Sequence, residues 1–517
     1  MTIAASAAVA PKATQRDWIG LAVLALPCIL YSMDLTVLNL AVPHLTQDLE
    51  PSSTQLLWIV DIYGFLIAGS LITMGTLGDR IGRRRLLLIG AGAFGIASVL
   101  AAFSTSASML IVARALLGVA GATLAPSTLS LIRNMFLDPA QRTVAIGLWV
   151  TSYSVGGAIG PLVGGVMLEY FWWGSVFLIG VPVMVLLLIL GPILLPEFRD
   201  PHAQRLDLLS AALSLVAVLA VIYGIKRIAE DDAGVRALLS VVIGIAVGMA
   251  FVRRQRLLSD PLIDLRLFRK PAFSAALATY TLGTFFIFGA FLFVGQYLQV
   301  ALELSPLRAG LWTLPMMLSF IVGSMLTPLL ARRFDAGLVM AAGLVLTAVG
   351  FGVTTQIGGA LSLAVIVAGS CLYSLGLAPV FTLATDLIVG TAPAERAGAA
   401  SALSETSSEF GGALGIAILG SIGTAVYRTA LVDVAPAGMP PAAVENARST
   451  VGGAAAAAAR LPDHLGAALL EASRYALTEA LQLVAAICAI GAIATAIVAA
   501  TLLRRVSGSA QESRQTG

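Results

Sequence analysis

Four carboxylates stand where a carboxylate is energetically unfavourable. Asp34, Asp61, Glu405 and Glu409 each lie inside an apolar run long enough to cross a bilayer. A charged side chain at mid-bilayer costs roughly 2.5–3.5 kcal/mol on insertion scales, so such residues face a cavity or a partner. Glu405 and Glu409 are four apart in SALSETSSEFGGALG, on one helical face. Two carboxylates that close in a low dielectric do not both ionise, and a pair that shares a proton is what a proton carrier needs. Ser401, Ser404 and Ser408 fall near that face, within reach to hydrogen-bond them. Asp386, near the end of another run, reads as interfacial.

Depth follows from helical rise. At ~1.5 Å per residue, Asp34 lies roughly 24 Å into its run. Asp61 and Arg114 each lie about one turn inside the opposite end of theirs, so the three are expected to share one layer. A neighbouring arginine favours the ionised carboxylate and burial opposes it. That competition suits a group that exchanges protons; a static Asp34–Arg114 or Asp61–Arg114 pair is the alternative. Aromatic residues and methionines accompany the acids, among them Met33, Phe285, Trp312 and Phe381. The candidate cavity aromatics are Trp58, Tyr63, Trp149, Tyr153, Phe288 and Phe410. A cavity that combines acids with aromatic faces attracts lipophilic cations through charge and cation–π contact.

The elements that hold these residues are membrane helices. The chain of 517 residues is 58% hydrophobic and 11% charged, with mean hydropathy +0.93. Soluble domains carry roughly 25% charged residues. Fourteen apolar runs are expected to span: 18–42, 56–77, 86–103, 109–132, 144–168, 176–195, 208–225, 235–252, 272–297, 307–331, 338–354, 361–388, 397–427 and 478–503. Lipid cannot satisfy exposed backbone groups, and the runs do not alternate as a β-barrel would, so helices are expected. Of 31 Lys and Arg residues, 22 fall in the tails and the loops on the same side as them, which puts both termini in the cytoplasm. Two six-helix halves, 18–195 and 272–503, flank a linker, 196–271, that carries spans seven and eight. Residues 1–17 and 504–517 read as cytoplasmic tails, and 428–477 as a long, Ala-rich outer loop with helical spacing.

Other chemistry is absent from the pattern. Cys28, Cys371 and Cys488 lie in apolar runs without metal or disulfide spacing, and His44, His202 and His464 are far apart. There is no P-loop, HExxH or GxSxG, hence no enzyme, cofactor or nucleic-acid partner is expected. GGAIGPLVGG sits inside a span, where small residues mean close helix contact. Without an ATPase module, active transport must draw on an ion gradient.

These stretches resemble the motifs of the major facilitator superfamily, and within it the fourteen-span drug:proton antiporters. GTLGDRIGRRRLL (75–87) is similar to the family's loop signature after span two, LIVARALLGVAGA (110–122) to its span-four arginine motif, and GGAIGPLVGGVML (156–168) to its antiporter motif. MDLTVLNLAVP (33–43) and LLWIVDIYGFLIAG (56–69) resemble the multidrug branch in spans one and two. The resemblance implies two six-helix bundles with two extra helices between them. It implies cation recognition or coupling at Asp34, proton transfer at Arg114, and a substrate path at Glu405 and Glu409. Gly75, Gly78, Asp79, Arg80, Gly82 and Arg83 would form a cytoplasmic gate, and Gly156, Gly160, Pro161, Gly164 and Gly165 a close-packed, bendable span five. Span ten lacks the acid that relatives in this branch can carry. The activity implied is proton-coupled export of lipophilic and quaternary ammonium cations and dyes from the cytoplasm by a monomer in the cell membrane. Export of one antibiotic or natural product is the rival, and a non-transporting membrane sensor the remote one.

Overall fold

The computed structural model describes residues 11–51, 53–199, 207–229, 234–258, 261–304, 306–434, 439–449, 454, 457–458 and 460–503. The C-terminal tail 504–517, His202 and the first ten residues of the N-terminal tail lie outside that set. The described residues form an all-α, polytopic membrane protein with fourteen helices long and apolar enough to cross a bilayer, and no strand.

Spans one to three are Gln15–Leu49, Ser53–Ile81 and Arg83–Ala102. Span four is two helices, Ala107–Gly121 and Leu124–Met135, broken where the Thr123 hydroxyl donates back to the Ala120 carbonyl at 2.7 Å. Span five is Pro139–Tyr170, started by Pro139 at its first turn and by Asp138, which accepts from the Gln141 amide at 2.9 Å. Span six runs to Leu194 after a short turn at Ser175–Leu178. Spans seven and eight are Leu208–Ala229 and Val235–Leu257. Span nine, Pro271–Gln296, ends in a π-helical turn at Tyr297–Ala301. Spans ten to thirteen are Pro306–Ala331, Ala336–Thr354, Ser362–Thr391 and Ala397–Val434, and span fourteen is Asp463–Leu502.

The stretch 428–477 is more helical than a loop. Span thirteen continues to Val434, Pro441–Ser449 is a helix of its own, and span fourteen begins at Asp463. The Tyr427 hydroxyl donates to the Ala447 carbonyl at 3.0 Å and pins the short helix to span thirteen. Alanine, the best helix former, dominates this segment, which is why the helix propagates beyond the apolar run.

Spans seven and eight pack on each other through glycines. A Cβ on Gly224 would meet the Ala237 carbonyl at 2.7 Å, and one on Gly244 the Val221 amide at 2.8 Å. The loop that follows joins them to span two: the Thr76 hydroxyl donates to Leu262 at 3.2 Å, and Ile72, Phe251, Leu262 and Ile263 form a buried cluster.

Asp207, just ahead of span seven, accepts from Arg254 Nε and from the Ser210 hydroxyl, both at 2.7 Å. The Arg254 guanidinium holds its carboxyl down at about 2. Because the folded value is depressed, this pair contributes stability above the ordinary carboxylate range and loses it as pH falls towards about 2. The pair is partly exposed and reached by solvent, so the effect is small. Thermal unfolding of Asp207→Asn is expected to lose less stability than the parent between about pH 5 and pH 2. An equal loss in both would show that the pair is silent.

Candidate functional site

Glycines set the positions of the two helices that carry the acids. A Cβ on Gly156 of span five would lie 2.2 Å from the Ile29 carbonyl, and one on Gly164 would lie 2.9 Å from Val37. These contacts bracket the turn of span one that holds Tyr31 and Asp34. In the other half, a Cβ on Gly415 would lie 2.2 Å from the Phe285 carbonyl and one on Gly411 2.4 Å from the Thr281 carbonyl. That packing of span thirteen on span nine fixes the turn with Glu405 and Glu409. Gly160 is buried in span five, Pro161 lies beside it in the helix, and Gly165 faces open space.

Between spans one and five and spans nine, ten, twelve and thirteen lies a cavity of about 380 Å³. Glu405, Ser408 and Glu409 line it together with Tyr31, Trp149, Tyr153, Tyr280, Phe288, Met316, Phe320 and Phe381. Glu405 is 8% exposed, and its Oε1 accepts no hydrogen bond from any described residue. Glu409 Oε1 accepts from the Tyr31 hydroxyl at 3.0 Å, a bond that joins the two halves across the cavity. The serines do not serve the glutamates as expected: Ser401 donates to its own helix at Ala397, and Ser404 is buried without a described partner. Of the named aromatics, Trp149, Tyr153 and Phe288 line the cavity. Trp58 and Phe410 are instead outward-facing, 39% and 37% exposed, and Tyr63 is fully buried in the N-terminal half. Phe410 follows Glu409 directly, and a step of one residue turns a helix by about 100°. Tyr31 and Tyr280 escaped the sequence reading; the signal for Tyr31 was its place one turn from Asp34.

The acid set divides in two. Asp34 is not a cavity residue. Its Oδ2 lies 3.4 Å from Arg114 Nη1, behind Tyr31. Arg114 is 1% exposed. It donates to the Ile59 and Val60 carbonyls of span two and lies over the Tyr63 ring at 5.0 Å and the Phe177 ring at 5.9 Å. Asp61 is partly buried on span two and is not among the residues lining the cavity. Tyr63 and Tyr31, with ring centroids 6.3 Å apart, connect the Asp34–Arg114 pair to the cavity wall.

At the face that carries Arg80 to Arg85 the halves are clamped. The Asp79 carboxylate accepts from the Gly398 and Ala399 amides, both at 3.0 Å, in the first turn of span thirteen, where the helix dipole favours a negative charge. Arg83 Nε donates to Asp79 at 2.9 Å, and its Nη2 donates to the Ala394 and Glu395 carbonyls at 2.7 and 3.1 Å. Gly75 permits this approach, since a Cβ there would meet the Gly398 carbonyl at 2.4 Å. Gly78 packs on Leu86, and Gly82 turns the chain into span three with φ +112°, a left-handed backbone that favours glycine. Arg80 is half-buried at the same end. A second clamp was not foreseen. The Asp386 carboxylate accepts from Arg142 Nε at 2.6 Å and from the Thr143 hydroxyl at 2.7 Å, joining spans five and twelve.

Asp79→Asn keeps the shape of the clamp and removes its charge. Hydrogen bonds to a charged group are worth roughly 1.5–3 kcal/mol, so the ratio of clamped to unclamped molecules is expected to fall about tenfold or more. Spin labels on the exposed positions Arg85 and Arg332, one in each half, should report longer separations by double electron–electron resonance. An unchanged distribution would remove Asp79 from the clamp.

The family model described as "Major Facilitator Superfamily" matches residues 24–416. The chain is 44% identical over 490 residues to the "Multidrug efflux pump LfrA" of Mycolicibacterium smegmatis, covering 95% of this chain and 97% of that one. It is 35% identical to the "Methyl viologen resistance protein SmvA" of Salmonella typhimurium, over 89% of this chain and 93% of that one. Among solved structures, the human organic anion transporter MFSD10 (TETRAN) superposes with TM-score 0.58 at 17% identity, over 78% of this chain and 93% of that one.

Proposed function

The chain belongs to the major facilitator superfamily, and on that premise we propose that it is a proton-coupled multidrug efflux antiporter for lipophilic and quaternary ammonium cations. The observation that carries the reading is the cavity between the halves, where two carboxylates one helical turn apart face aromatic rings. A cation of that kind gains from the charge and from the π faces. One site that holds either the cation or protons, not both, gives obligatory exchange when the halves rock about it. The relatives named for multidrug efflux and for methyl viologen resistance favour the same reading.

The roles are assigned as follows. Glu405 and Glu409 take the cation or protons in turn. Asp34 and Arg114 act behind the cavity wall and bias the span-one side of it. Asp79, Arg83, Arg142 and Asp386 hold the cytoplasmic gate shut while the cavity discharges outward. The termini lie in the cytoplasm, the proton gradient is the driving force, no bound cofactor takes part, and the monomer is the working unit.

Everted membrane vesicles test this. Respiration acidifies their lumen, and addition of N-methyl-4-phenylpyridinium is expected to release protons from vesicles that carry the protein. The release should vanish in the Glu405→Gln/Glu409→Gln double variant. Cation uptake without proton movement would overturn the coupling, and no cation-dependent signal of either kind would overturn the exporter reading.

A further inference from the structure

The cavity continues beyond its acids. An apolar crevice runs from it between spans nine, ten and twelve, towards the end of span twelve opposite Asp386. Met316 lines both the cavity and a neck of about 10 Å³. Trp312 and Val367 line both that neck and a groove of about 490 Å³ on the surface between spans ten and twelve. The path follows one face of span twelve in steps of three or four residues, from Ser374 through Ser370 and Val367 to Leu363. The two hydroxyls of the neck are turned back on their own helices. Thr313 donates to the Gly310 carbonyl at 2.7 Å and Ser370 to the Ile366 carbonyl at 2.5 Å. Among the described residues, no charged side chain lines neck or groove. The backbone is irregular on both sides of the neck. Leu298 lies in the π-helical turn that ends span nine, and Pro315 interrupts the hydrogen-bond ladder of span ten beside Met316.

We infer that this crevice is a binding subsite for the alkyl tail of an amphiphilic cation whose charged head sits in the cavity at Glu405. The head cannot follow, because the neck offers a charge no polar partner. A saturated chain needs none and gains from each methylene taken out of water. Met316, unbranched and flexible, is the side chain that yields to it. From Ser374 at the cavity to Ala364 in the groove, span twelve rises roughly 15 Å, and a chain of single bonds advances roughly 1.2 Å per bond. A tail of about twelve carbons therefore reaches the groove, and one of about four stays in the cavity. The inference rests on the cation-exporter reading and adds a tail subsite to it.

Photolabelling tests where the tail lies. Dodecyltrimethylammonium with a diazirine at the far end of its chain is bound to purified full-length protein in lipid nanodiscs and illuminated. Label is expected on the peptides that carry Trp312 and 360–368. Saturating N-methyl-4-phenylpyridinium, which has no tail and competes for the cavity alone, is expected to reduce that label tenfold or more. Label that survives the competitor would come from chains dissolved in the lipid beside the groove. Label confined to cavity residues such as Phe288 would mean that the tail coils inside. Either outcome overturns the subsite.

Ala364→Phe fills the groove from a position that is exposed, so the added ring burdens no packing. Each methylene kept out of water is worth roughly fourfold in affinity. Binding of dodecyltrimethylammonium, referred to its free aqueous concentration, is expected to weaken roughly tenfold. Binding of butyltrimethylammonium and of N-methyl-4-phenylpyridinium is expected to stay as in the parent. Equal losses for all three would show a general disturbance, and an unchanged dodecyl affinity would place the tail elsewhere; both overturn the subsite. If the parent binds none of the three, the exporter reading falls and the subsite falls with it. If the parent binds N-methyl-4-phenylpyridinium but the label is not displaced, only the subsite is lost.

Discussion

Glu405→Gln is expected to lower the affinity for N-methyl-4-phenylpyridinium by thirtyfold or more, about 2 kcal/mol. The reason is local. Glu405 lies in the cavity wall, 8% exposed, with an oxygen that no described residue satisfies. A bound cation supplies the partner that the protein withholds, at a buried carboxylate where screening is weaker than in bulk water. Glutamine keeps the volume and removes that attraction. Glu409→Gln is expected to cost the monocation much less, because Glu409 already bonds to Tyr31. The rank order is the sharper part of the prediction. Isothermal titration of the two variants checks it, and equal losses, or a larger loss at Glu409, would show that the cation seats elsewhere.

The second large effect concerns no charge at all. Gly156→Val places a Cβ where only 2.2 Å separates it from the Ile29 carbonyl, so span one must move away. Tyr31 and Asp34 ride on that stretch, and a shift of about 1 Å is enough to disturb positioned groups. Overpacking of this kind costs about 1–3 kcal/mol in stability. The expected outcome is a protein that inserts and purifies with a lowered melting temperature and no transport. Gly165→Val is the matched control in the same motif, because nothing lies within 4 Å of its Cβ position. It should melt and transport like the parent. Normal transport by Gly156→Val would mean that the span-one to span-five contact does not position the site.

The sequence determined much of this on its own. Fourteen apolar runs fixed fourteen spans, because hydrocarbon leaves the backbone no alternative to helix. The spacing of Glu405 and Glu409 put both on one face, and the rarity of acids in lipid marked them for a cavity. The GDRIGR stretch pointed to Asp79 and Arg83 through its resemblance to the family's loop signature.

What only the tertiary structure decided is azimuth and partnership. A span that is apolar all round carries no signal of which side meets lipid, core or cavity, since an aromatic ring is tolerated in all three. Trp149 and Phe288 could not be told apart from Trp58 and Phe410 by spacing alone, and only packing sorted them. Partners far apart in sequence were equally invisible: Arg142 with Asp386, and Tyr31 with Glu409. Asp34, the most conspicuous acid of the sequence, turned from the cavity to Arg114. A lone carboxylate announces that it needs compensation, but whether a ligand or an arginine supplies it depends on how the helices are rotated against each other.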